Sequence, residues 1–188
     1  MKSICVYLGA KFGHSALYQD AVIQLGQHIG RSDLRLIYGG SSLGLMGLLA
    51  TTVIHFGGKV TGIIPERLIE QEQPLHSLDK LIITKTMQER KFLMQQQADA
   101  FIIMPGGLGT LEEAFDTWNA IKLGILNKPI GFLNTDGFYD GLFSFLSHVE
   151  HEGFISRAQN SIPKINACPG LLISELLAVD YNNEVNSY

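Results

Sequence analysis

The stretch Pro105-Gly-Gly-Leu-Gly-Thr-Leu-Glu-Glu113 follows an apolar run, Ala100-Phe-Ile-Ile-Met104, and opens a segment in which apolar residues recur at helical spacing. The apolar run is typical of a buried parallel strand. Glycines let a backbone turn tightly and approach a ligand closely, and a helix start offers free N–H groups with partial positive charge. The stretch therefore predicts a strand, a glycine-rich turn and a helix whose first turn could bind an anion such as phosphate.

The same stretch also has a purely structural interpretation. Thr110 and Glu113 fit the T-x-x-E spacing of a capping box, in which the Glu side chain folds back onto its own helix start. Pro-Gly-Gly is also ordinary turn chemistry. The two interpretations differ in the direction of Glu113, because a catalytic carboxylate would face a cleft.

Strand-like runs and helical periodicity alternate on both sides of this stretch. The remaining strands are predicted at residues 2–8, 34–38, 59–64, 81–84 and 128–133, with a short segment at 162–165. The helices are predicted at residues 14–29, 43–56, 87–97, 138–151 and 169–177, and the polar stretch 66–80 is predicted as a short helix plus loop.

This alternation predicts an α/β fold, a Rossmann-like doubly wound parallel sheet with helices on both faces. We expect a single nucleotide-binding domain over residues 1–180 and a frayed tail over residues 181–188. Ligands of such sheets bind beyond the carboxyl ends of the strands, where the turns after Leu8, Tyr38 and Met104 are expected to lie.

The composition narrows the function classes. Of the 188 residues, 46% are hydrophobic and 17% charged, and the net charge of −4 argues against nucleic acid as the main partner. No apolar run reaches the roughly 18 residues of a membrane span, and the first residues are unlike a signal peptide. We therefore expect a cytoplasmic protein with no membrane partner, in which Cys5 and Cys168 are reduced.

The sequence argues against several classes of cofactor site and against a serine nucleophile. Gly107-Leu-Gly109 begins like the dinucleotide fingerprint G-x-G-x-x-G, but Glu112 stands at the third glycine position, where its bulk and charge are unfavourable. No G-K-[ST] follows the glycines, and no G-x-S-x-G elbow is present. His148 and His151, at i,i+3 on a predicted amphipathic helix, are interpreted as surface residues. We therefore predict neither a cofactor nor a metal site.

The charge run Glu89-Arg-Lys91 has two interpretations. Such runs usually form a solvated helix face. Alternatively, Arg90 provides a planar fork for phosphate or ribose oxygens. The run alone does not decide between them.

Three motifs, in this order along the chain, resemble those of the Lonely Guy family of cytokinin riboside 5′-monophosphate phosphoribohydrolases, many of which were once labelled lysine decarboxylases. Tyr38-Gly-Gly-Ser-Ser-Leu-Gly-Leu-Met-Gly47 resembles the family's Y-G-G-x-x-x-G-L-M-G turn. Met87-Gln-Glu-Arg-Lys91 matches M-x-E-R-K, and the stretch 105–113 matches P-G-G-x-G-T-x-x-E. The similarity extends over residues 3–155.

The resemblance implies an enzyme that cleaves the N-glycosidic bond of an adenine-type nucleoside 5′-monophosphate to free base and ribose 5-phosphate, and that forms a homodimer. It implies that Arg90 and Glu113 are the catalytic pair. The positions that it assigns to the phosphate loop and the nucleotide are Gly106, Gly107, Gly109, Thr110, Met87, Lys91, Gly40 and Met46.

The implied roles are chemically coherent. Cleavage of a ribosyl C–N bond develops positive charge on the sugar, which the Glu113 carboxylate would stabilise while it orients water. Arg90 would hold phosphate or ribose oxygens. Glu112 is the weaker candidate, because one residue along a helix turns the side chain by about 100°.

The first predicted turn departs from the family pattern, and this leaves the substrate open. The chain has Leu8-Gly-Ala-Lys11 where the family commonly has C-G-S-S. One alternative function is a general nucleosidase for purine monophosphates such as AMP. Another is a non-catalytic nucleotide-binding module, which would keep the phosphate loop without needing Arg90 and Glu113 to meet.

Overall fold

The computed structural model describes residues 2–179, so the predicted tail at 181–188 lies outside the described residues. The strands are β1 Ser3–Tyr7, β2 Arg35–Tyr38, β3 Lys59–Pro65, β4 Lys80–Thr84, β5 Ala100–Ile103, β6 Ile130–Leu133 and β7 Lys164–Asn166. The α-helices are α1 Ala16–Gly30, α2 Gly44–His55, α3 Ile69–Glu72, α4 Met87–Gln97, α5 Leu108–Lys122, α6 Asp140–His151, α7 Arg157–Asn160 and α8 Pro169–Leu177.

All seven strands form one parallel sheet in the order β4-β3-β2-β1-β5-β6-β7. β1 lies in the middle, with Cys5 beside Ile37 of β2 on one side and Phe101 of β5 on the other. From β1 the chain builds outward to β4, and then returns to the centre and builds outward to β7. The loops that leave β1 and β5 therefore diverge, which opens a crevice at this point of a doubly wound sheet.

Helices cover both faces of the sheet, because alternate residues of the central strands point to opposite sides. Ile4 and Val6 pack into a core with apolar residues of α1, α2 and α8. Cys5 and Tyr7 pack into a second core with residues of α4, α5 and α6. The predicted α/β fold with helices on both faces is thus confirmed.

Two features differ from the sequence-based prediction. The helix after β5 already begins at Leu108, with Gly107 at the N-cap and no side-chain cap. The capping-box interpretation is therefore wrong, because Thr110 lies inside the first turn and cannot be its N-cap. The short helix α7 was not predicted, because four residues are too few to show helical periodicity.

The expectations about the two cysteines and about membrane spans can also be compared with the structure. Cys5 is buried and Cys168 is exposed, and both are free thiols. Every helix within residues 2–179 is too short or too polar to cross a bilayer.

Candidate active site

A cleft of about 490 Å³ opens where the chain leaves β1 and β5. Its floor and walls are formed by the turn at residues 8–13, the glycine-rich turn at 105–107 and the first turns of α2, α4 and α5. The C-terminal end of α3 contributes as well, through Glu72. The sheet therefore places the cleft at the carboxyl ends of its central strands, as the alternating pattern predicts.

The glycines of the 105–109 turn meet two different environments. A Cβ at Gly106 would collide with the side chain of Thr110 and lie 2.9 Å from the Gly9 nitrogen, so packing requires glycine there. A Cβ at Gly107 or Gly109 would have no protein atom within 4 Å, although both residues line the cleft. These two glycines leave the N–H groups at the start of α5 open to an anionic ligand.

Arg90 is buried although it stands in a charge run. Its Nη1 lies 2.9 Å from Oε1 of Glu113, and its Nε donates a hydrogen bond of 3.0 Å to the carbonyl of Ile63. A Cβ at Gly39 would collide with the guanidinium, so the turn after β2 leaves room for Arg90 by having no side chain. The solvated-face interpretation is therefore wrong for Arg90.

Glu113 faces the cleft and its carboxylate is bound by Arg90, instead of folding back onto the start of α5. Burial raises the pKa of Glu113, and the charge of Arg90 opposes that rise. A buried carboxylate with a raised pKa is a better proton acceptor than an exposed one, and the guanidinium fixes its direction. The structure thus brings the two implied catalytic residues together in the cleft.

Eight of the ten residues implied by the resemblance line the cleft. They are Arg90, Glu113, Gly106, Gly107, Gly109, Thr110, Met87 and Met46.

Lys91 and Gly40 do not line the cleft, so the geometry does not support their expected contact with substrate. The ammonium of Lys91 binds Glu112 and lies 3.8 Å from Asp116, and its pKa is raised by Glu112. It therefore joins α4 to α5 outside the cleft. Gly40 has φ +83° and packs against β3, where it allows the turn after β2.

Sequence reasoning missed several residues that line the cleft. Tyr18 of α1 and Phe138 meet edge to face at 5.6 Å and form an aromatic wall. Lys11 stands in the turn after β1. Its position directly after a central strand is the sequence feature that could have identified it as a cleft residue. Glu72 lies in a polar stretch with no recognisable motif, so no local signal marks it.

The charged side chains that line the cleft are two cations, Lys11 and Arg90, and two carboxyls, Glu72 and Glu113. The described part of the chain contains no cluster of three or more His, Cys, Asp or Glu side chains placed to hold a metal ion. The arrangement can hold an anion at the start of α5 while it presents Glu113 to the group that the anion carries.

Comparisons with known proteins place the chain in a family. Residues 46–175 match the family model described as possible lysine decarboxylase. Over 161 residues the chain is 43% identical to cytokinin riboside 5′-monophosphate phosphoribohydrolase LOG2 of Arabidopsis thaliana, covering 86% of this chain and 76% of that protein. The chain belongs to the Lonely Guy (LOG) family.

A second member of the LOG family supports the same assignment. Over 154 residues the chain is 46% identical to probable cytokinin riboside 5′-monophosphate phosphoribohydrolase LOGL1 of Oryza sativa subsp. japonica, covering 81% of this chain and 68% of that protein. The family resemblance found in the three motifs is thereby confirmed.

The fold of this LOG-family chain also occurs in more distant proteins. The molybdenum cofactor carrier protein of Chlamydomonas reinhardtii aligns with a TM-score of 0.71 at 19% identity, covering 94% of this chain and 98% of that one. At so low an identity the likeness shows the shared fold alone.

Proposed function

We propose that this protein hydrolyses the N-glycosidic bond of a cytokinin riboside 5′-monophosphate, an adenine-type nucleotide, and releases free base and ribose 5-phosphate. The observation that carries the proposal is the buried Arg90–Glu113 pair, which opens into the same cleft as the glycine-rich start of α5. The named activity of relatives at 43% and 46% identity supplies the substrate class.

The phosphate of such a substrate would bind at the start of α5. Gly107 and Gly109 leave that helix start uncovered, and its free N–H groups donate to anionic oxygens. Lys11 lines the same cleft and adds a positive charge. Binding of the phosphate would fix the ribose over Glu113, so that the reacting sugar and the catalytic carboxylate are held in a defined orientation.

Glu113 would carry the chemistry at C1′ of the ribose. As the C–N bond breaks, the sugar gains positive charge, and an adjacent carboxylate stabilises that charge. Its raised pKa suits it to take a proton from the attacking water. Arg90, held by the Ile63 carbonyl, keeps the carboxylate in position and can reach oxygens of the substrate.

The base would lie against the apolar part of the cleft, which includes Leu45, Met46, Leu68 and Met87. These side chains offer contact to a purine and to an apolar group attached to it. Phe12 and Phe138, which are both partly exposed, provide further apolar surface. The lining is consistent with a prenylated adenine.

The proposal is tested by incubating the purified protein with AMP, isopentenyl-AMP and a panel of other nucleoside monophosphates while free base is measured by chromatography. Faster release of base from isopentenyl-AMP than from AMP supports the cytokinin assignment. Equal rates would favour a general purine monophosphate nucleosidase. Nucleotide binding without release of base from any substrate would contradict the proposal and favour a binding module.

We propose further that the protein is a cytoplasmic homodimer, with α4 and α5 in the interface. Phe92 of α4 and Leu108 of α5 expose 58% and 86% of their surface, and the ion pair of Lys91 with Glu112 joins the two helices beside them. Large apolar side chains on adjacent helices are typical of a surface that another protein covers. The free cysteines accord with a reducing compartment.

Light scattering tests the proposed dimer, and cell fractionation tests the location. Wild type is expected at twice the mass of the chain and Phe92→Asp at the mass of one chain. Phe145→Asp is the matched control, because Phe145 is equally exposed but lies on α6. A monomeric wild type, or dissociation by both substitutions alike, would contradict this interface, and recovery in the membrane or secreted fraction would contradict the location.

A further inference from the structure

The cleft contains a second carboxyl that the proposed chemistry at C1′ leaves unused. Glu72 is the last residue of α3, is half-buried and lines the same cleft as Arg90 and Glu113. Burial raises the pKa of Glu72 and of Glu113, and the charge of Arg90 opposes both rises. The cleft therefore presents two carboxyls and one guanidinium to a bound ligand.

The position of Glu72 is determined by a different part of the fold. Its carbonyl accepts hydrogen bonds from the N–H and hydroxyl of Ser42, at 3.0 and 3.2 Å, and from the hydroxyl of Ser41 at 3.4 Å. Gln73, in the left-handed conformation at φ 41°, ends the helix there. The turn after β2 thus holds Glu72 at the cleft and, through Gly39, also leaves room for Arg90.

The surroundings of Glu72 favour its protonated form more than water would. Burial raises its pKa, while Arg90 from α4 and Ser41 from the turn after β2 oppose that rise. Glu113 from α5 faces the same cleft with a second negative charge. The hydroxyl of Tyr38, buried and without a hydrogen-bond partner among residues 2–179, has its pKa raised first by burial and then by the charge of Glu72.

The geometry points to Glu72 as the general acid that protonates the departing base, an inference that rests on the proposed function. As the bond from C1′ to the base breaks, its electron pair passes to the base, and the Glu72 carboxyl donates its proton to a ring nitrogen. Water adds to C1′ and gives a proton to the Glu113 carboxylate. Solvent then takes that proton and restores the one on Glu72, so the net reaction consumes only water.

This division of labour follows a general pattern of glycoside cleavage. One carboxyl acts on the sugar and another on the leaving group, and different environments separate their protonation states. Glu113 is bound directly by the guanidinium of Arg90 at 2.9 Å. Glu72 has no ion-pair partner within 4 Å among the described residues, which leaves its carboxyl free to face a base.

The test compares two leaving groups in the Glu72→Gln variant of the full chain. Isopentenyl-AMP releases a base that needs a proton, whereas p-nitrophenyl β-riboside 5-phosphate releases a stabilised anion that needs none. We expect Glu72→Gln to lower kcat for the nucleotide by roughly 10²–10⁴-fold and to change kcat for the aryl riboside by no more than a few-fold. Glu113→Gln is expected to lower both.

The matched control is Glu70→Gln, which removes an exposed carboxyl from the same short helix and should alter neither rate. A second readout is the pH dependence of kcat for the nucleotide, whose alkaline decline in wild type should disappear in Glu72→Gln. Thermal unfolding of each variant shows whether the fold is retained.

The assignment is overturned if Glu72→Gln lowers both rates equally, since that indicates a positioning role, or if it lowers neither. Where wild type does not accept the aryl riboside, an alkaline decline that persists in Glu72→Gln overturns it. Absence of base release by wild type from every nucleotide would instead contradict the proposed function itself.

Discussion

At the scale of single residues, glycines of one turn serve two purposes. Gly106 is required by packing, because a Cβ there would strike Thr110 and crowd the Gly9 nitrogen. Gly107 and Gly109 have empty space where a Cβ would stand, and both border the cleft. Packing does not explain glycine at these two positions, whereas close approach of the proposed phosphate would.

Two alanine variants separate these purposes. Gly109→Ala should unfold at the same temperature as wild type or higher, because alanine is favoured over glycine in a helix by up to about 1 kcal/mol. Its KM for the nucleotide should rise by about tenfold, the equivalent of roughly 1.4 kcal/mol of lost binding. Gly106→Ala should raise KM and, unlike Gly109→Ala, should also lower the unfolding temperature. Steady-state kinetics and thermal unfolding check both, and an unchanged KM in Gly109→Ala would contradict a phosphate site at this helix start.

Arg90 shows what a local pattern can and cannot predict. A charge run is typical of a solvated face, and the resemblance to the family, rather than periodicity, singled out this residue. Its burial depends on Gly39 and on the Ile63 carbonyl, which other strands bring to it. Lys91, in the same motif, was expected at the substrate, but one further step around α4 directs it to Glu112.

At the scale of elements, α6 secures the chain where β5 enters the glycine-rich turn. The buried hydroxyl of Tyr139, just before α6, donates a 2.7 Å hydrogen bond to the carbonyl of Met104. The Met104 N–H is bound by the carbonyl of Tyr7, the last residue of β1. These two bonds hold residue 104 and therefore the start of the glycine-rich turn.

Tyr139→Phe should remove only the first of these bonds. The Met104 carbonyl would be buried without that partner, so we expect a loss of about 1–3 kcal/mol in the free energy of unfolding. Because the turn that follows would be held less firmly, KM for the nucleotide should also rise. Urea denaturation and steady-state kinetics measure the two effects, and full stability in the variant would show that this bond does not secure the turn.

The sequence predicts the bounds of some elements more accurately than those of others. The helices α4 and α8 occur at their predicted bounds, where a cap residue and a proline mark their starts. The alternative capping-box interpretation would place the N-cap of α5 at Thr110, whereas the helix begins at Leu108 with Gly107 as its N-cap. The position of Glu72, the last residue of α3, could not be predicted, since the turn after β2 determines where it lies.

At the scale of the whole molecule, the buried Glu113 should make stability depend on pH. Burial raises its pKa in the folded protein above the value of about 4.3 in the unfolded chain. The folded state then binds this proton more tightly, so the contribution to stability is full below about pH 4.3 and is lost as pH rises through the raised pKa.

Glu113→Gln should remove this titration. Loss of the charge on one partner of Arg90 shifts stability at every pH, so the relevant quantity is the slope of the difference between the two proteins. The free energy of unfolding of wild type minus that of the variant should fall as pH rises through the raised pKa. Urea denaturation over a pH series measures it, and a rising difference would show that the attraction of Arg90 outweighs burial.

The most direct measurement is the rate of free base release from isopentenyl-AMP by Glu113→Gln, compared with Glu112→Gln, which alters the exposed neighbour bound to Lys91. Both variants should fold, because each keeps the shape of the side chain. We predict that Glu113→Gln lowers kcat by roughly 10²–10⁴-fold and that Glu112→Gln stays near wild type. Wild-type turnover in Glu113→Gln would contradict the claim that the Arg90–Glu113 pair forms the catalytic centre.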